Sequence, residues 1–322
     1  MGRSTTGSDV SAVADRLPED HADTVVILNP VSGDGTHEEL RRRACLAGYD
    51  LVETKEGGDA RRLALAAADA GFERVVAAGG DGTLNAVAQG LYEADALDDV
   101  VFGVLPAGTG NNFAGNVGVG DLPSAFEALE SDRVRQLDLG TNGERVFLNS
   151  CVGGLTAEAS GATTHEMKAR YGVLAYVLST LRTAVEFDAP PLSVSAYDAT
   201  GEETAWEGEV LFLLVGNARH FPLEGPTAAN AEDGLLDVTL IEREPAGELL
   251  EEAAMVRLFG EEADAVTRLQ AAALDVYVGD GEGMQFSFDG EMESASRLTL
   301  GVEHCALTIH VGTDYEPGGP QP

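Results

Sequence analysis

Three short segments combine glycine with small amide and hydroxyl side chains: Asn29-Pro30-Val31-Ser32-Gly33, Gly79-Gly80-Asp81-Gly82-Thr83-Leu84-Asn85 and Pro106-Ala107-Gly108-Thr109-Gly110-Asn111-Asn112. Glycine lets backbone N–H groups approach an anion closely, and a helix N-terminus adds partial positive charge, so each segment is suited to cradling phosphate. Taken alone, the second also reads as a tight strand-to-helix turn with Thr83 as N-cap. Late in the chain, Phe288-Asp289-Gly290-Glu291 places two carboxylates two residues apart, suited either to accepting a proton or to a solvated β-turn. No GxxxxGK[ST] segment occurs, and no GxGxxG follows the first strand. This is therefore neither a P-loop protein nor one with a dinucleotide fingerprint. Phosphate charge would have to be met by backbone dipoles and metal, helped by Arg. The six His show no metal-ligand spacing. Cys45, Cys151 and Cys305 are far apart with no CxxC, which disfavours a disulfide framework or a Cys zinc site and fits a reducing cytoplasm.

The glycine segments need elements to aim them. Thr24–Leu28 is a continuous apolar run, the pattern of a buried parallel strand, and it stops at Asn29-Pro30. Strands at Tyr49–Glu53, Arg74–Ala78 and Val100–Leu105 alternate with helices at Glu38–Ala47, Asp59–Ala70 (capped by Asp59), Thr83–Leu91 and near Ser124–Glu130. That rhythm predicts a doubly wound parallel α/β domain over residues 24–136, with every glycine segment at the carboxyl end of a strand, where such sheets bind ligands. After Gln136 the rhythm changes. Strands are expected at Val146–Cys151, Leu192–Tyr197, Trp206–Val215, Leu235–Ile241, Ala272–Val278, Met284–Asp289, Arg297–Leu300 and Ala306–Val311. Helices interrupt them at Glu166–Phe187, whose apolar spacing suits a core better than lipid contact, and at Ala246–Arg268. The fold class is thus α/β plus β, with a β-sandwich-like domain over 137–305. Residues 306–322 supply a strand that can return to the first domain and a disordered tail. Residues 1–23 read as a mobile tail without a signal peptide, and Gly279–Gly283 reads as a hairpin turn rather than a calcium loop.

Of 322 residues, 55 are acidic and 20 basic, for a formal charge of −35, and only Lys55 and Lys168 are lysines. Such a field argues against nucleic-acid binding, which needs clustered Lys and Arg, and against tight adsorption to an anionic membrane. Abundant carboxylates with almost no lysine predict a halophilic protein, since molar salt shortens the Debye length to roughly 3 Å. No apolar run approaches a membrane span.

The order NPVSG, GGDGTLN, PAGTGNN, FDGE resembles the diacylglycerol kinase catalytic family, which includes bacterial diacylglycerol kinases and sphingosine kinases, over roughly Thr24–Val311. GGDGT alone is shared with NAD kinases. The resemblance implies a cytoplasmic lipid kinase, peripheral to the membrane, using ATP and Mg²⁺ to phosphorylate a lipid alcohol in a cleft between the two domains. It implies that ATP is held by Asn29, Pro30, Val31, Ser32 and Gly33, by Thr54 of the second-strand loop, by Gly79, Gly80, Asp81, Gly82, Thr83, Leu84 and Asn85, and by Thr109. Glu291 matches the family's base, with Asp289 beside it, and Asp81 is the carboxylate nearest the phosphates. Asn230, Asp233 and Leu235 match a structural Mg²⁺ loop, Asn230 and Leu235 through backbone carbonyls. Asn112 stands where many members have Asp. The lipid could be a diacylglycerol or an isoprenoid alcohol, the contact with the membrane surface transient, and a homodimer is a possible assembly. An NAD kinase and a non-catalytic lipid- or nucleotide-binding regulator are the alternatives.

Overall fold

The computed structural model describes residues 7–19, 21–33, 35–154, 190–218, 229–242, 266–279, 281 and 283–317. The helix expected at Glu166–Phe187 and most of that at Ala246–Arg268 lie outside these residues. The chain divides into two units, one over Met1–Leu137 with Cys305–Glu316 and the other over Asp138–His304.

In the first unit, β1 (Thr24–Leu28), β2 (Asp50–Glu53), β3 (Arg74–Gly79) and β4 (Val101–Pro106) form a parallel sheet in the order β2-β1-β3-β4. All five residues of β1 are buried, as a parallel strand covered on both faces requires. The helices between strands are α2 (His37–Leu46), α3 (Asp59–Ala70) and α4 (Asp81–Glu93). The step from β1 to β2 runs opposite to the steps from β2 to β3 and from β3 to β4. Right-handed crossovers therefore put α2 on one face and α3 and α4 together on the other, where α3 packs on α4. The strand order reverses between β1 and β3, and that switch point is where an open α/β sheet offers a crevice. After β4 come α5 (Asn112–Asn116) and α6 (Leu122–Glu130), the latter started by a capping box between Asp121 and Ser124. Ile309 pairs in parallel with Phe102 of β4, so the end of the chain's last strand joins this sheet.

Three local readings are corrected here. Residues 7–14 form α1, packed on α3, where a mobile tail was expected. Val13 is buried, Arg16 pairs with Asp59, and His21 stacks on Phe72 at 4.1 Å, so the segment has its own anchors. The N-cap of α3 is Gly58 at φ 82°, with Asp59 the first helical residue. The N-cap of α4 is Gly80, leaving Thr83 inside the first turn.

The second unit is built on β9 (Glu203–Gly216), which changes partners along its length. Its exposed first half pairs with β8 (Pro191–Tyr197), which continues through β12 (Ala273–Val278) to the start of β15 (Arg297–His310). Its buried second half pairs with β7 (Ser150–Gly154) and β10 (Leu236–Glu242). From there β10 leads to β11 (Val266–Ala271), and β7 leads to β13 (Met284–Phe288) and β14 (Glu291–Ala295). The result is a two-sheet sandwich around a core that includes Phe147, Val194, Leu213, Val215, Leu240, Phe286 and Phe288. Because β12 and β13 lie in different sheets, the Gly279–Gly283 connection passes between sheets and is not a hairpin turn. Residues 266–268 are strand, not helix, and the two strands expected after Arg297 are one. Two strands escaped the sequence reading: β5 (Val134–Thr141), which pairs with the short β6 (Val146–Phe147), and β14.

Candidate phosphate cradle and carboxylate turn

In the first unit the structure brings the glycine segments together. Asn29 follows β1, and its amide donates to Thr83 Oγ1 at 3.1 Å, joining the first segment to the second. The same residue shapes its own turn: its Oδ1 accepts from Val31 N at 3.2 Å and its carbonyl from Ser32 Oγ at 2.8 Å. Gly33 has φ 62°, and a Cβ there would lie 2.2 Å from the Ala107 carbonyl oxygen. A Cβ on Gly108 would lie 2.2 Å from Gly80 Cα. The three turns are thus pressed together backbone to backbone, at a spacing only glycine permits. Ala107 N–H donates to Gly79 O at 3.0 Å, and Asn111 closes the third turn on Gly108 at both its N–H and its carbonyl.

The remaining residues of this group play unequal parts. Thr83, Leu84 and Asn85 are buried within α4, and the Thr83 and Leu84 N–H groups already donate to Gly80 O at 2.8 and 3.1 Å, so the N–H groups without an intrahelical acceptor are those of Asp81 and Gly82, the first two helical residues. Gly82 and Thr109 are exposed, and Val31 is 88 % exposed. Thr54 extends the β2 pairing, its N–H donating to Leu28 O at 2.8 Å. The loop after it is fastened by Asp59, which is buried and accepts from Lys55 N at 2.7 Å, Glu56 N at 3.3 Å, Arg16 and Arg62. Burial pushes the Asp59 carboxyl up, but the hydrogen bonds from Arg62, Lys55, Arg16 and Glu56 outweigh it and hold the group well below the carboxylate range.

Asp81 is engaged on both oxygens. Oδ1 accepts from Phe113 N at 2.8 Å, and Oδ2 accepts from Asn112 N and Asn112 Nδ2, both at 3.0 Å. An ionised carboxylate only accepts, so Asn112 here acts as a donor, a contact that Asp at this position could not make while ionised. Asp81 thereby anchors the start of α5.

In the second unit, Asp289 sits at φ 48° in the turn between β13 and β14. Its carboxylate accepts from three successive buried N–H groups: Leu148 at 2.6 Å, Asn149 at 3.1 Å and Ser150 at 2.9 Å. Beneath it Cys151 is buried, and burial, together with Asp289 and Glu293, pushes its thiol well up. Glu291 begins β14 and is 63 % exposed. Arg145 reaches it at 2.5 Å and reaches Glu293, on the same face of the strand, at 3.1 Å. Arg145 belongs to the β5–β6 turn, which is tied by Asn142 Oδ1 accepting from Arg145 N and by Thr141 Oγ1 donating to Arg145 O.

The expected metal loop also lies in this unit. Asn230 Oδ1 accepts from Glu232 N at 3.2 Å, and Asp233 Oδ1 from Leu235 N at 3.0 Å. Partial burial, then Asp138 and Asp237, push the Asp233 carboxyl up. Oxygen donors crowded with negative charge fit a hard cation, so the residues present suit Mg²⁺. Sequence reading missed Asp138. It is buried, its N–H donates to Ala231 O, and its carboxylate accepts from Gly234 N at 2.7 Å and meets His304 Nδ1 at 2.8 Å. Its one signal was an acid between two leucines at the start of an apolar run.

A parallel α/β unit with three fused glycine turns, joined in sequence to a β-sandwich bearing an Asp-Gly-Glu turn, is the architecture of the diacylglycerol kinase class of phosphotransferases. The family model described as diacylglycerol kinase catalytic domain matches residues 7–142, and that described as YegS C-terminal NAD kinase beta sandwich-like domain matches residues 149–311. A Pseudomonas fluorescens protein named "Probable lipid kinase YegS-like" is 34 % identical over 86 % of this chain and 92 % of its own length. A protein of the same name from Pseudomonas aeruginosa is 34 % identical over 85 % of this chain and 90 % of its own. The chain belongs to this family of YegS-like lipid kinases. The crystal structure of a diacylglycerol kinase from Bacillus anthracis superimposes with a TM-score of 0.68 at 19 % identity, covering 91 % of this chain and 98 % of the other. A further Bacillus anthracis structure gives a TM-score of 0.73 at 22 % identity with the same coverage, and these likenesses establish the fold. Among the described residues no helix is long and apolar enough to cross a membrane.

Proposed function

We propose that the protein transfers the γ-phosphoryl group of ATP, in a Mg²⁺-dependent reaction, to the hydroxyl of a diacylglycerol-like or isoprenoid lipid alcohol, giving a phospholipid. The observation that carries this reading is the fusion of the turns at Asn29–Gly33, Gly79–Gly82 and Ala107–Asn111, pressed backbone to backbone after β1, β3 and β4, beside the start of α4, where the Asp81 and Gly82 N–H groups have no intrahelical acceptor. Phosphoryl transfer asks chiefly for positioning and charge neutralisation, and glycine turns with a helix N-terminus supply both. Asp81 then acts by holding α5 and Asn112 against the cradle, since both its oxygens already accept protein N–H groups.

Of the two late carboxylates, Glu291 is the one free to take the proton from the lipid hydroxyl. Asp289 is committed to the 148–150 backbone and fixes the turn that presents Glu291. Arg145 orients Glu291 in the absence of lipid. Asn230, Asp233 and Leu235 would hold Mg²⁺, which when bound neutralises the acidic loop and ties it together. Contact with a membrane surface is transient, the acidic chain approaching lipid under salt screening.

The test is mass spectrometry of total lipid extract after incubation with protein, ATP and Mg²⁺ at high salt. A lipid alcohol carrying one added phosphoryl group supports the reading. An unchanged extract, with phosphorylation of NAD instead, would replace it with the nucleotide kinase alternative.

A further inference from the structure

The loop after β2, residues 54–58, is mostly exposed and carries Thr54 at its start. It is bounded by Glu53, the last residue of β2, and Asp59, the first of α3. One side chain from outside the sheet reaches both boundaries. Arg16 Nη1 contacts Asp59 Oδ2 at 2.9 Å, and Arg16 Nη2 donates to the Glu53 carbonyl oxygen. The pair is secluded, Arg16 being 17 % exposed and Asp59 2 %. The same Asp59 oxygen accepts the N–H groups of Lys55 and Glu56 inside the loop. Arg62, one turn along α3, bridges Asp59 Oδ1 at 2.6 Å and Glu56 Oε1 at 2.8 Å.

The segment carrying Arg16 is itself held. Val13 of α1 is buried. His21 stacks on Phe72 and its Nε2 lies 3.2 Å from Ala70 O. Ala22 N–H donates to Asp50 Oδ2 at 2.7 Å. Arg16 is therefore fastened at its own end and spans both ends of the loop with one planar guanidinium, a task its forked donors suit and a single ammonium does not.

We propose that Arg16 is a positioning residue for the nucleotide: the segment before the first strand clamps the Thr54–Gly58 loop through Arg16, so that ATP affinity depends on a residue that does not touch ATP. This rests on the reading of that loop as part of the ATP site. Without the guanidinium, the loop keeps its tie to α3 through Arg62 but loses its tie to β2, and the Lys55 and Glu56 amides open more readily.

The experiment compares wild type, Arg16→Ala and Arg16→Lys by calorimetric titration with ATP in the presence of Mg²⁺, and by hydrogen exchange of the Lys55 and Glu56 amides, at a temperature where each is folded. Expected are about tenfold weaker ATP binding in Arg16→Ala, an intermediate loss in Arg16→Lys, and faster exchange of both amides in each. A purely structural role would lower the melting temperature while leaving the dissociation constant unchanged, and would overturn the proposal. Should Arg16→Ala not fold, Arg16→Lys decides: wild-type affinity and wild-type exchange in that variant overturn the clamp. Failure of wild type itself to bind ATP overturns the nucleotide reading and the clamp with it, a result distinct from tight binding by all three proteins.

Discussion

Replacing Asp289 by alanine separates a positioning carboxylate from a chemical one. The Asp289 carboxylate satisfies three N–H groups, of Leu148, Asn149 and Ser150, and all three residues are buried. An unsatisfied buried donor costs about 1–3 kcal/mol, so three of them set a range of about 3–9 kcal/mol, reduced where water enters the opened space. Asp289 also sits at φ 48°, a conformation Asp and Asn tolerate better than Ala, which adds about 1 kcal/mol. The expected loss for Asp289→Ala is therefore about 3–6 kcal/mol. Asp289→Asn should lose less, because its carbonyl oxygen still accepts and the backbone conformation still suits it, but its NH₂ faces donors that need an acceptor. Urea denaturation at fixed high salt, followed by circular dichroism, reads both variants. A midpoint for Asp289→Ala equivalent to less than about 1 kcal/mol of lost stability would refute the reasoning and return Asp289 to the candidates for the base.

Glu291→Gln should lower turnover by at least about 10²-fold with an unchanged melting temperature, measured once a lipid acceptor is in hand; near-normal turnover would remove Glu291 as the base. Asp233→Ala should lower thermal stability in Mg²⁺ more than it lowers ATP affinity, and the reverse pattern would assign the loop to the nucleotide site. His310 is buried, and burial and then Arg74 push its pKa down, so the neutral form is favoured on folding. Its contribution is present above the unfolded value near 6.5 and is lost as pH falls through the lower folded value, so His310→Gln should flatten the stability loss of wild type on acidification from about pH 7. At −35, folding and activity should need molar KCl, since at about 0.01 M salt the Debye length is roughly 30 Å and most surface carboxylates repel; full structure and highest activity at about 0.05 M KCl would contradict this.

What the sequence disclosed depended on how local the signal was. The parallel sheet was legible because a strand buried on both faces is a continuous apolar run, as in Thr24–Leu28, and because each glycine segment punctuates a strand end. The segment before Thr24 misled because polar composition with a proline looks unstructured, while what orders it is distant in sequence: Asp59 for Arg16, Phe72 for His21. The edge strand β14 was hidden for a related reason, since Glu-Met-Glu-Ser-Ala exposes its acids and carries no apolar alternation. The carboxylates show the same limit within the candidate site. Asp81 and Asp289 stand out in the sequence as acids within motifs, but a motif cannot say whether an acid faces outward or is already occupied. Only the fold shows Asp81 accepting the N–H groups of Asn112 and Phe113 and Asp289 those of residues 148–150. Residue types announce which chemistry is available, and long-range hydrogen bonds decide which acid is left over to perform it. That is the ground on which Glu291, exposed and paired with Arg145 rather than with buried backbone, is proposed as the base.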